Sequence, residues 1–180
     1  DRLNDTIRSF LAYARPQRFS IARFDVRRVL NDAALLLRNS SDVQEGHVIE
    51  VQVPTTDVVF EADENQIRQI IWNLATNGLR AMRSGGRLTL GARIEPGGQA
   101  VQESVVLEVA DEGVGIPADE LDAIFQPFRG SFAKGTGLGL AIVHRIVSDY
   151  AGEIQVSSTP GRGTTVRVRL PVRTAAVAAS

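Results

Sequence analysis

The chain has no cysteine. That excludes disulfides, thiolate catalysis and sulfur-ligated zinc, and it fits a reducing compartment. Histidine is nearly as scarce: the two present, His47 and His144, lie far apart and lack the spacing of paired metal ligands. No apolar run approaches the roughly 18 residues a membrane-spanning helix needs, and no signal peptide is visible. An excess of one charge is missing too. Lys and Arg number 20 against 21 Asp and Glu, a net charge of −1, so no global field recruits nucleic acid or acidic lipid. The arginines Arg15, Arg18, Arg23, Arg27 and Arg28 cluster near the start and read as a solvated or inter-segment surface.

What is present suffices for a packed domain. The hydrophobic share is 43% and the charged share 23% over 180 residues, which predicts one domain, or one domain with an attached helical piece. The chain begins at Asp1 rather than Met and reads as part of something longer. In residues 1–15, Leu3, Ile7, Phe10, Leu11 and Ala14 form one apolar helical face, and Pro16 stops the helix. An extended piece near 19–24 precedes Asp25, which can cap a helix from Val26 to Arg38 carrying Val29, Leu30, Ala33, Leu36 and Leu37 inward. Strands are expected at 47–53 and 58–61, then a long helix from Asp63 to Met82 ending at Gly85-Gly86. Further strands are expected at 87–94, 104–110, 153–158 and 164–170, with a short helix from Pro117 to Ile124 and another from Leu138 to Tyr150. Residues 173–180 read as a disordered tail. Interleaved helices and strands with some hairpins predict an α/β (α+β) fold: one mixed sheet with three main helices on one face.

The richest stretch is Lys134-Gly135-Thr136-Gly137-Leu138-Gly139-Leu140, a glycine-alternating loop running into an amphipathic helix. Glycines at every second position let backbone N–H groups converge on one anion, and the helix adds its positive dipole end. A Walker loop is excluded because Lys134 precedes the second glycine instead of following it. The dinucleotide fingerprint and the glycine loop of eukaryotic-type kinases are excluded by Leu140, which stands where a third glycine belongs.

Two further segments carry chemistry. On the long helix, Ile67, Ile70, Ile71, Leu74, Gly78 and Ala81 form the buried stripe, and Asn73, Asn77 and Arg80 share a narrow sector at its edge. Carboxamides offer oxygens to a hard cation and N–H groups to phosphate, and an arginine neutralises phosphate charge. The same strip would equally suit a helix edge that merely meets solvent. Asp111-Glu112-Gly113-Val114-Gly115-Ile116 delivers an acid from a strand into a glycine turn. An ionised Asp111 could accept a hydrogen bond from the adenine amine, where guanine presents a carbonyl; a plain β-turn would also use an Asp there.

In this order the segments resemble the ATP-binding domain of bacterial sensor histidine kinases. Residues 73–77 resemble the asparagine box, 111–115 the first glycine box, 125–128 (Phe-Gln-Pro-Phe) the phenylalanine box, 135–140 the second glycine box, and 161–164 (Gly-Arg-Gly-Thr) the last box before the closing strand. The resemblance covers residues 19–172 and is nearest the nitrogen-regulation type. Residues 1–18 would then be the end of a dimerisation helix with its linker.

The resemblance implies a two-layer sandwich binding ATP and Mg²⁺. Asn77 would hold the metal, Arg80 would sit near the phosphates and Asp111 would take the adenine amine. Asn73, Gly113, Gly115, Ile116, Lys134 to Leu140 and Thr164 would complete the nucleotide site. Residues 129–134 would be the ATP lid; it reads Arg129-Gly130-Ser131-Phe132 where relatives often carry Phe-Thr-Thr-Lys, and Lys134 would supply the cation instead. In the related gyrase and mismatch-repair ATPases a glutamate four residues before the metal asparagine activates water. Here Asn73 holds that place and cannot act as a general base. Gly78 stands where alanine is usual, at roughly 1 kcal/mol of helix propensity.

No acid follows either histidine, so the phosphoacceptor motif is absent and both histidines read as structural or surface residues. The implied partners are the dimerisation domain of its own parent chain and a response-regulator receiver, with no nucleic acid. The implied location is cytoplasmic. The parent would be a homodimer and this piece a monomer, since one helix of about 15 residues cannot rebuild a four-helix interface. A non-catalytic nucleotide-binding module and a serine kinase of the anti-sigma-factor type share these features and stay open at this level.

Overall fold

The computed structural model describes residues 20–99, 102–124 and 139–172. Strand β1 (Ile21–Asp25) passes directly into helix α1 (Val26–Arg38), because the Asp25 carboxylate accepts the N–H of Arg27 at 3.0 Å and caps the helix. The hydrogen-bonded Arg27 side chain pulls the Asp25 carboxyl down to about 2. Strand β2 (His47–Gln52) follows. Strand β3 (Val59–Asp63) then enters helix α2 (Glu64–Ala81) by the same device, Asp63 accepting the N–H of Asn65 at 3.0 Å. Next come β4 (Gly86–Glu95), β5 (Ser104–Asp111), a 3₁₀ helix (Ala118–Ala123), α3 (Gly139–Asp149), β6 (Glu153–Thr159) and β7 (Gly163–Pro171).

Five strands form a mixed sheet in the order β2-β4-β5-β7-β6, with β2 and β4 parallel and every other pair antiparallel. The expectation of one sheet needs correction: β1 and β3 pair with each other in a separate antiparallel ribbon. Each member of that ribbon is the lead-in to a capped helix, so the ribbon fixes where α1 and α2 begin.

Period-two alternation divides the large sheet into two faces. Leu88, Leu90, Leu107, Val168 and Leu170 turn toward the helices and are fully buried with Leu30, Leu37, Ile67, Ile70, Ile71 and Val143. The opposite face carries ion pairs, Arg167 to Glu108 at 3.0 Å and Arg169 to Glu95 at 3.1 Å among them. This is the two-layer arrangement, with all three long helices in one layer.

The stripe expected on α2 is buried as read. On α1 the inward set changes: Leu36 is 59% exposed, while Val26 and Ala34 are buried. Leu36 lies about 20° beyond Val29 on the helix wheel, at the rim of the buried arc and in the last turn. The arginine cluster is partly visible: Arg27 pairs with Asp25 and Asp57, and Arg28 with Glu64. Residues 1–19, 125–138 and 173–180, on which the expected dimerisation helix, phenylalanine box, lid and tail fall, lie outside the described residues. Among the described residues no helix is long and apolar enough to cross a membrane.

Tyr150, just past α3, holds the two site-bearing helices together. Its hydroxyl donates to Gln66 Oε1 at 2.8 Å and accepts the N–H of Asp63 at 2.9 Å, all three residues being buried. This buried network fixes α3 against the first turn of α2, although the Gln66 Nε2 within it has no hydrogen-bond partner among the described residues.

Candidate functional site

Helix α2 presents Asn73, Asn77 and Arg80 along one half-buried edge, as its periodicity predicts. The Asn73 carboxamide donates to the carbonyl oxygen of Gly139 at 3.2 Å and accepts a long bond from Gln69 Nε2 at 3.4 Å. Asn77 lies one turn on, its Nδ2 3.8 Å from where a side chain on Gly139 would begin. The backbone entering α3 thus passes beside both asparagines, within ordinary contact distance of a side chain at that position. Leu140 follows on α3 and packs against the core. Arg80 is engaged elsewhere: its Nε lies 3.5 Å from Asp42 Oδ1, an acid in the α1–β2 connection.

Asp111 ends β5 and turns toward α2, where its carboxylate lies against Gly78. Burial pushes its carboxyl up to about 6, against the opposing pull of hydrogen bonds from the backbone N–H groups of Gly113 and Thr164. The Gly113 bond measures 2.8 Å. A carboxylate with two backbone donors keeps acceptor capacity for one more donor from a ligand.

The turn after Asp111 is built around two glycines. Gly113 packs on the end of α2 so closely that a Cβ would fall 2.6 Å from the Ala81 carbonyl oxygen. Gly115 adopts φ 74° with a Cβ position 2.4 Å from the Thr159 carbonyl, so no side chain is accommodated. The next residue, Ile116, is pinned through its N–H to Ser158 Oγ at 2.7 Å, and Ser158 lies 2.8 Å from the Thr164 hydroxyl.

The described residues therefore bring Asn73, Asn77 and Gly139 together on one side of α2. Asp111, Gly113, Gly115, Ile116 and Thr164 gather at the strand end beside it. Lys134, Gly135, Thr136, Gly137 and Leu138 lie outside the described residues. Sequence reasoning did not single out Ser158 or Asp42. A serine in an alternating strand carries no local signal, and only the Ser158–Thr164 register across β6 and β7 joins it to the turn.

Both histidines can be placed. His47 Nδ1 accepts the N–H of Gln44 at 3.0 Å while Nε2 lies 2.7 Å from the Met82 carbonyl, so both ring nitrogens are used within the fold. His144 is exposed on α3. No group of three or more His, Cys, Asp or Glu side chains among the described residues could cage a metal. A cation here would rest on carboxamide oxygen, water and ligand oxygens, the coordination that suits Mg²⁺. Asn77 fits that demand, since its side chain makes no hydrogen bond among the described residues.

Comparison with known proteins agrees with this geometry. Residues 62–174 match the family described as histidine kinase-, DNA gyrase B-, and HSP90-like ATPase. The chain is 34% identical over 174 residues to the sensor histidine kinase ZraS of Escherichia coli (strain K12), covering 96% of this chain and 36% of that protein. It is 35% identical over 187 residues to the histidine protein kinase DivJ of Caulobacter vibrioides, covering 100% of this chain and 30% of that protein. The crystal structure of full-length ShkA in complex with AMPPNP has a TM-score of 0.80 at 31% identity, covering 96% of this chain and 36% of that one. The chain spans about a third of the length of these relatives. With more than half its residues matched to the family, the chain belongs to the histidine kinase-, DNA gyrase B- and HSP90-like ATPases, as an ATP-binding catalytic domain of the sensor histidine kinase kind.

Proposed function

We propose that this domain presents the γ-phosphate of ATP to a histidine on a dimerisation domain of its own parent chain, and that a response-regulator receiver takes the phosphoryl group onward. The reaction breaks the bond between the γ-phosphorus and the bridging oxygen, forms a phosphorus–nitrogen bond to imidazole, and releases ADP. Asp111 accepts the adenine amine, and the turn held by Gly113, Gly115 and Ile116 lies along the base. Asn77 would hold Mg²⁺, which would neutralise phosphate charge. The N–H groups at the start of α3, with the glycine loop and Lys134 before it, take the phosphate oxygens. The parent acts as a cytoplasmic homodimer, its dimerisation helix ending within residues 1–18 and the ATP-binding domain running over 19–172.

The observation that supports transfer over hydrolysis is Asn73. Where a water-activating carboxylate would stand, this chain has an amide whose donor side is tied to Gly139 O at 3.2 Å. An amide so held takes no proton from water.

The test is incubation of the chain with γ-labelled ATP, with and without a separately made dimerisation helix pair. Acid-labile, alkali-stable label is expected on the helix pair and none on the chain alone. Label on His47 or His144, or rapid release of phosphate without the helix pair, would overturn the proposal.

A further inference from the structure

Helix α2 and strand β5 meet through a missing side chain. Gly78 is buried near the C-terminal end of α2, and a methyl built on it would stand 2.7 Å from Leu88 Cδ1, 3.3 Å from Asp111 Cβ and 3.4 Å from Asp111 Oδ2. Leu88 is fully buried and is the register partner of Asp111 across the β4–β5 pair. One methyl-sized volume is therefore shared by three residues. The helix leaves it vacant, Leu88 fills it, and the Asp111 carboxylate forms its far wall.

Glycine is a poor choice on helix propensity alone, so the position runs against its local preference. A methyl there would push against the far end of the Leu88 side chain at 2.7 Å and would also press on Asp111 Cβ at 3.3 Å, which must give by a few tenths of an ångström. Leu88 belongs to a close-packed core that resists displacement. Asp111 sits at the end of its strand, held by the 2.8 Å bond from the Gly113 N–H. A displaced carboxylate would lose the hydrogen-bond distance that a base amine requires.

We propose that Gly78 is a positioning residue for base recognition: by ceding its side-chain volume to Leu88 it lets the Asp111 carboxylate lie against the α2 backbone, and the Gly78–Leu88 pair sets where the adenine amine is met. This rests on the reading of Asp111 as the base acceptor. Specificity for adenine is then shared between one charged residue and the steric fit of two apolar neighbours.

Calorimetry with ADP and with inosine diphosphate, which carries a carbonyl in place of the exocyclic amine, separates positioning from general damage. Gly78→Ala is expected to weaken ADP binding roughly tenfold while inosine diphosphate changes less than twofold. Adding Leu88→Val removes the clashing methyl and is expected to restore ADP affinity. Parental ADP affinity in Gly78→Ala, equal losses for the two nucleotides, or no rescue by Leu88→Val would each overturn the inference. If Gly78→Ala does not fold, the Gly78→Ala/Leu88→Val chain carries the test: near-parental discrimination supports the inference and its collapse sinks it. Asp111→Asn in the same assay keeps the two levels apart. An unchanged preference for ADP in Asp111→Asn defeats the base assignment, and a lost preference there beside a kept one in Gly78→Ala defeats the positioning role alone.

Discussion

The carboxamide of Asn73 donates to the carbonyl oxygen of Gly139 at 3.2 Å, joining the middle of α2 to the first residue of α3 across 66 positions of sequence. Asn77, one turn further along the same edge, has no such tie among the described residues. Two asparagines that look equivalent in sequence thus differ: one holds a helix, and the other leaves its carboxamide without a hydrogen bond among the described residues.

Their alanine variants should therefore differ in kind. Asn77→Ala is expected to abolish the part of nucleotide affinity that depends on Mg²⁺ and to leave the fold intact. Asn73→Ala is expected to weaken ADP binding with and without Mg²⁺, and to speed hydrogen exchange in Gly139–Asp149, at about 1 kcal/mol of stability. Calorimetry with and without the metal, joined to hydrogen exchange, checks both. An Asn77→Ala chain that binds Mg²⁺-ATP like the parent would show that the edge of α2 is misassigned.

The buried carboxyl of Asp111 sets a pH window. Its value of about 6 stands above the ordinary 3.8, so the folded chain holds a proton that the unfolded chain has released between those values. Its contribution to stability is complete below about pH 4 and is lost as pH rises through 6, by at most on the order of 3 kcal/mol. Nucleotide binding runs the other way, because only the ionised carboxylate accepts from the adenine amine. ADP affinity is expected to fall as pH drops from 7 to 5, and Asp111→Asn should flatten both profiles. Thermal melts and calorimetry across that range measure each.

Arg80 is held at 3.5 Å by Asp42, with side chains 30% and 26% exposed. A pair that open is worth about 0–1 kcal/mol, so Asp42→Asn should barely move the melting temperature. If Arg80 turns to the phosphates when ATP binds, losing the competing acid should raise ATP affinity a few-fold at low salt, and the gain should fade as salt screens it. Arg80→Ala should cancel the effect of Asp42→Asn. Binding isotherms at two ionic strengths would show it, and additive effects of the two substitutions would refute the link.

Lys134 is the single lysine of the sequence. An amine-reactive adenine nucleotide should therefore mark one side chain, and excess ATP should protect it. Peptide mapping distinguishes Lys134 from the terminal amine. Labelling unaffected by ATP would remove Lys134 from the phosphate site.

The residues determined by themselves whatever depends on neighbours in the chain. Asp25 and Asp63 cap the helices that follow them, the apolar spacing of α2 buries the stripe it describes, and the turn after Asp111 needs its glycines. These follow from periodicity and backbone conformation, which a short window contains. Only the tertiary structure decided the rest. It separated the β1–β3 ribbon from the large sheet, left Leu36 outside the core, gave Arg80 to Asp42, set Ser158 under Ile116, and gave the volume beside Gly78 to Leu88. Each of these joins residues distant in sequence or settles which surface a helix end meets. Strand register and the filling of shared space fix such relationships, and neither is written in the local pattern of either partner.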